Sequence, residues 1–209
     1  MYTIEDLYTR YPVLESCRND IDSALQALIA CYDRGGKLLC CGNGGSAADC
    51  DHIVGEMMKG FLLLRPVDDE KIPKDLRSRL QGALPAIALT THSALSSAFA
   101  NDVDPSMIYA QQVYGYAREG DIVLGLSTSG NAENVVNALT VAKAVGAVSI
   151  AMTGSSGGKL GEIADIVIRV PEMATYRVQE LHLPIYHALC AAVEAHYFVE
   201  CFSKVKGLY

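Results

Sequence analysis

The chain has 209 residues, half of them hydrophobic and 20% charged, which suits one soluble globular domain with a substantial core. A formal charge of −7, with no basic run or basic–aromatic stripe, argues against a nucleic-acid surface. Cys17, Cys31, Cys40, Cys41, Cys50, Cys190 and Cys201 are odd in number and contain no C-x-x-C, so neither a disulfide framework nor a thiolate zinc site is expected, only reduced, mostly buried thiols in a cytoplasmic protein.

The opening M-Y-T-I-E-D-L has no basic segment followed by an apolar core, and no uninterrupted apolar run approaches a membrane span. Residues 4–34 place Ile4, Leu7, Tyr8, Tyr11, Leu14, Ile21, Leu25, Leu28, Ile29 and Tyr32 at helical spacing, with a break or kink at Pro12. Such a helical segment, within residues 1–35, can pack on the sheet's face or on another subunit, and the subunit is favoured.

Residues 37–56, K-L-L-C-C-G-N-G-G-S-A-A-D-C-D-H-I-V-G-E, organise the chain. An apolar run predicts a strand, Gly42 to Gly45 a turn, and Ser46 onward a helix. A helix N-terminus leaves N–H groups unpaired, and glycines let an anion approach the backbone. The spacing is neither a Walker loop nor a dinucleotide fingerprint. His52 and Glu56 are four apart, so they project from one helix face, roughly 5–10 Å beyond the anion.

A charged, proline-punctuated excursion at about 62–82 is expected to run over the surface with one short helix; a lid is the sharper reading and a solvated insertion the favoured one. Residues 62–64 are expected to be covered. Strands are predicted at 85–91, 122–126, 147–152 and 165–170, with helices to Ala100, from Asp104 to Ala117 with Gln111, Gln112 and Arg118 exposed, to Val145, and at 159–163. Ser127, Thr128 and Ser129 repeat the strand–turn–helix pattern and predict a second anion cradle. Alternating strands and helices imply a doubly wound five-stranded parallel α/β sheet, with both cradles at its carboxyl edge.

The last long helix, about 175–202, carries an apolar stripe at Val178, Leu181, Ile185, Leu189, Val193 and His196, a bend at Pro184, and Gln179 and His187 on one broad face. His182 between them reads as a structural histidine.

C-G-N-G-G-S-A-A-D with His52 and Glu56, L-P-A-I-A-L, N-D at 101–102, L-S-T-S-G-N, T-G-S-S-G-G-K, A-D-I-V-I-R-V-P and T-Y-R-V-Q-E-L-H-L-P-I-Y-H together resemble the sugar isomerase (SIS) fold, specifically the phosphoheptose isomerase family, over nearly the whole chain. The resemblance implies a homotetramer with interfacial active sites that converts sedoheptulose 7-phosphate to the manno-heptose 7-phosphate, with no nucleic-acid or membrane partner. It implies Glu56 as base and His187 as acid/base. Ser46, Ser127, Thr128 and Ser129 would lie at the phosphate, beside Gly44 in the first turn, with Asn43 and Asp102 as sugar contacts and Gln179 as a polar site residue. Some members bind one zinc per site through residues matching His52, Glu56, Gln179 and His187. Tyr176, Ala132, His92 and Gly60 stand where the family has aspartate, serine, aspartate and arginine, and with the inserted segment they point to a related but different phosphosugar. A rival from another class is a non-catalytic tetramer acting as a protein-binding platform; a third reading is a sugar-phosphate-sensing regulator. Retention of Glu56, Gln179 and His187 favours the enzyme.

Overall fold

In the computed structural model, residues 4–205 are described, with side chains through Phe198; the Cys201 side chain lies outside them. In chain order the elements are α1 (Ile4–Arg10), a 3-10 turn (Pro12–Cys17), α2 (Arg18–Asp33), β1 (Leu38–Gly42), α3 (Gly45–Met58) and α4 (Lys74–Arg77). After these come β2 (Ala86–Ala88), α5 (Ser93–Asp102), a second 3-10 turn (Pro105–Met107), α6 (Ile108–Tyr116), β3 (Ile122–Leu126) and α7 (Glu133–Ala144). The chain then forms β4 (Val148–Thr153), α8 (Leu160–Ile163), β5 (Ile166–Arg169) and α9 (Thr175–Val205). All five strands are parallel, in the order β2-β1-β3-β4-β5.

Strands buried on both faces need continuous apolar sequence, and L-L-C-C-G and I-V-L-G-L are buried at every position. Alternate residues serve the two layers. Leu38, Cys40, Ile122, Leu124, Ile150 and Ile168 face one core with α1, α2, α3 and α9, whereas Leu39, Cys41, Val123, Ala151 and Val167 face a second core with α6, α7 and α8.

Four expectations are corrected. The N-terminal helices do not wait for another subunit: Leu7, Leu14, Ile21 and Ala24 are fully buried within this chain's own core, because the sheet face and α9 offer apolar surface that α1 and α2 complete. Leu62 and Leu64 are about half exposed, and the buried side chain of that stretch is Arg65. Gln112 is buried, its amide donating to the Leu89 carbonyl at 3.0 Å and the Ile108 carbonyl at 3.1 Å. His196 drops out of the α9 stripe and is exposed, its ring edge on Tyr197. The excursion holds the short helix α4, and Pro184 lies inside α9.

Candidate active site

Connections leave β1 outward to β2 on one side and, through β3, outward to β4 on the other, so β1 and β3 flank the point where strand order reverses. Ligands of open α/β sheets collect beyond the carboxyl ends of such strands. Gly42 and Leu126 are paired in register at that edge, so the residues that follow them, Asn43 and Ser127, open side by side.

There the first cavity, of about 180 Å³, is lined by Asn43, Ser46, Ser127, Thr128, Ser129, Ala132, Thr175 and Gln179, with Leu126 as floor. None of these is basic, and the hydroxyls carry its polarity. Gly44 adopts φ 57° as the N-cap of α3, a backbone state that glycine reaches without strain. A Cβ on Gly45 would strike the Gln179 amide nitrogen at 2.6 Å, so the glycine lets α9 lay that amide against the turn. Asn43 and Asn134 exchange reciprocal amide bonds of 2.9 Å, and the buried Tyr109 hydroxyl donates to the Gly42 carbonyl at 2.6 Å. Ser129 Oγ accepts from the Asn131 N–H at 3.2 Å, which shapes the second turn. Asn134, Tyr109 and Thr175 have no motif spacing in the sequence to announce them.

The second group lies further along α3 and α9. His52 Nε2 is 3.2 Å from Glu56 Oε1 and 3.3 Å from His187 Nε2. Glu56 and His187 therefore share one neighbour, and one small molecule can touch both. Lys59 Nζ contacts the other Glu56 oxygen at 3.1 Å. Burial lowers the His187 pKa below its ordinary value and the nearby His52 lowers it further, while Glu56 acts in the opposite sense. A neutral imidazole at physiological pH results. A cavity of about 360 Å³, lined by Arg10, Tyr11, Phe61, Leu62, Leu183, Pro184, His187 and Ala191, opens beside it.

Buried connections set the position of Glu56. Arg65 Nη2 donates to the Glu56 carbonyl at 3.0 Å and Nη1 to that of Met57 at 2.7 Å, closing the end of α3. Its Nε donates to Glu194 at 2.8 Å, and Glu194 also accepts the N–H groups of Phe61, Leu62 and Leu63. Asp102, expected at the sugar, is exposed at the end of α5, where Asn101 donates to it at 2.8 Å, and it lines neither cavity.

Of the zinc donors that the resemblance implies, Gln179 lines the hydroxyl cavity against Gly45, while Glu56 and His187 both contact His52 Nε2. Among the described residues no group of three or more His, Cys, Asp or Glu side chains is arranged to hold a metal ion. Two imidazoles and a carboxylate are donor types that zinc accepts, and the proton chemistry below is derived from the side chains alone.

A parallel sheet with a hydroxyl-lined cavity at its switch point and a carboxylate–imidazole cluster on the same two helices defines an α/β domain built to hold a small polar ligand. The chain belongs to the SIS domain family, whose model matches residues 6–154. It is 39% identical over 171 residues to the phosphoheptose isomerase of Desulfovibrio desulfuricans, spanning 82% of this chain and 74% of the relative. To that of Citrifermentans bemidjiense it is 41% identical over 180 residues, spanning 86% and 85%. A solved phosphoheptose isomerase from Neisseria gonorrhoeae superposes with a TM-score of 0.75 at 31% identity, over 91% of this chain and 94% of that one. Within the SIS domain proteins the chain is a member of the phosphoheptose isomerase family, and it is an isomerase of the phosphosugar class.

Proposed function

We propose that this chain interconverts an aldose and a ketose phosphate, sedoheptulose 7-phosphate and D-glycero-D-manno-heptose 7-phosphate, through an enediol. The observation that carries the reading is the convergence of Glu56, His52 and His187 at contacts of 3.2–3.3 Å. Isomerisation removes a proton from the carbon beside a carbonyl and returns it to the neighbouring carbon, while the hydroxyl proton crosses between oxygens. Glu56 carries the carbon-bound proton, and His187, kept neutral by its partly buried position, serves the two oxygens. The phosphate is held by Ser46, Ser127, Thr128, Ser129 and the N–H groups around Gly44, with Asn43, Gln179 and Asp102 toward the sugar.

The reading includes a homotetramer whose sites are shared between subunits. Two facts support it: the hydroxyl cavity and the His187 cavity have no lining residue in common, and Ser46 and Glu56 are ten residues apart on α3, roughly 15 Å of helix axis. The reading places the protein in the cytoplasm, where thiols stay reduced, and the six buried free cysteines among the described residues suit that compartment. No helix among the described residues is long and apolar enough to cross a membrane.

Sedoheptulose 7-phosphate incubated with the protein in deuterated water tests the reaction. Deuterium entering at the carbons next to the carbonyl, together with a loss of roughly 10²–10⁴-fold in Glu56→Gln, is the expected result. Ligand binding without exchange, with or without added zinc, would replace the enzyme by a sensor. Neither binding nor exchange would leave a protein-binding platform.

A further inference from the structure

Tyr186 is 1% exposed, and its hydroxyl lies 3.0 Å from Asp49 Oδ1 and 3.2 Å from His52 Nδ1. A carboxylate has no hydrogen to give, so the single phenolic proton is directed to Asp49. Only lone pairs remain on the Tyr186 oxygen for His52. Nδ1 of His52 must therefore be the donor, and a neutral imidazole that carries its proton on Nδ1 presents a bare nitrogen at Nε2. That nitrogen faces His187 Nε2 at 3.3 Å, so His187 donates from its own Nε2. All three bonds run in one sense because the chain ends at an acceptor-only group.

We propose that Asp49 and Tyr186 are positioning residues that fix the tautomers of His52 and His187, so that His52 Nε2 accepts from His187 and Glu56 Oε1 is left as the acceptor for one sugar hydroxyl. Glu56 Oε1 lies 3.2 Å from His52 Nε2 and receives no hydrogen from it in this tautomer, so a sugar hydroxyl that donates to Glu56 supplies the missing bond. The packing around Tyr186 gives the arrangement its rigidity: the ring meets those of His52 and His187 edge-on, with centroids 5.5 and 5.0 Å apart. The catalytic consequence rests on the isomerase reading; the tautomer does not.

Nitrogen-15 NMR of the full chain labelled at histidine measures this directly, with His52 assigned by its loss in His52→Gln. The expected spectrum at neutral pH has the His52 Nδ1 protonated and Nε2 bare. Tyr186→Phe keeps the ring and removes the relay, and Asp49→Asn keeps the phenol but lets residue 49 donate, which reverses the chain. In each folded variant the proton is expected to move to Nε2, with kcat on sugar phosphate falling roughly 10- to 100-fold and KM moving far less. If Tyr186→Phe fails to fold, Asp49→Asn decides. A wild-type His52 protonated at Nε2, or an unchanged tautomer in the folded variants, overturns the proposal. A wild type that catalyses no isotope exchange sinks the isomerase reading while leaving the tautomer result standing.

Discussion

His182 shows how burial alone assigns a histidine's role. It is fully buried, Nε2 lies 3.4 Å from the Thr153 carbonyl, and Nδ1 has no hydrogen-bond partner. Burial lowers its pKa from 6.5 to about 4, with the Thr153 contact opposing the shift. Between those values the unfolded chain takes up a proton that the folded chain refuses, so this group's contribution is complete above pH 6.5 and is lost as the pH falls to about 4. The size is on the order of 3 kcal/mol. Urea unfolding of wild type and His182→Gln across that range is expected to show the variant losing less stability on acidification. Equal pH slopes would mean that His182 is not held neutral. His187, five residues on, is partly exposed at a cavity; the two residue types are identical, and only the fold separates structure from chemistry.

At the scale of elements, the join between the end of α3 and the middle of α9 is the ion pair of Arg65 and Glu194, both with side chains 0% exposed. Glu194 satisfies three consecutive N–H groups of the 61–63 segment as well as Arg65. Removing one partner strands a buried charge, so Glu194→Gln is expected to cost about 3–5 kcal/mol. The double change Arg65→Met with Glu194→Leu is expected to recover part of that loss, and chemical denaturation reads both. A cost below about 1 kcal/mol for the single change would show that the pair is not the fastening the geometry describes.

This fastening was illegible in the sequence for a physical reason. Its partners are 129 residues apart, and periodicity reports only local spacing. The same holds for Asp49 and Tyr186, 137 apart. The strands were legible because burial on both faces requires unbroken apolar runs, although β2 keeps only Ala86–Ala88 of the predicted 85–91, since β1 pairs with it at three positions alone. The turns that line the hydroxyl cavity were legible because glycine and hydroxyl residues stand directly after strands. The 62–64 leucines misled because hydrophobicity does not say which side chains a buried arginine displaces to the surface.

For the whole molecule, the separation of cradle and acid/base cluster makes subunit sharing testable without any structure of the assembly. Ser127→Asp places a carboxylate in the hydroxyl cavity, where it repels a phosphate; Glu56→Gln removes the base. Each variant alone is expected to be inactive. Co-expressed, they form mixed oligomers, and if a site takes its cradle from one chain and its base from another, roughly a quarter of the sites combine two intact halves. Recovered isotope exchange at about that level is the expected result. If both halves came from one chain, every chain in the mixture would carry a lesion in its own site, and co-expression would recover nothing. That outcome would confine the chemistry to a single protomer and require the sugar to span the helix length between Ser46 and Glu56 unaided.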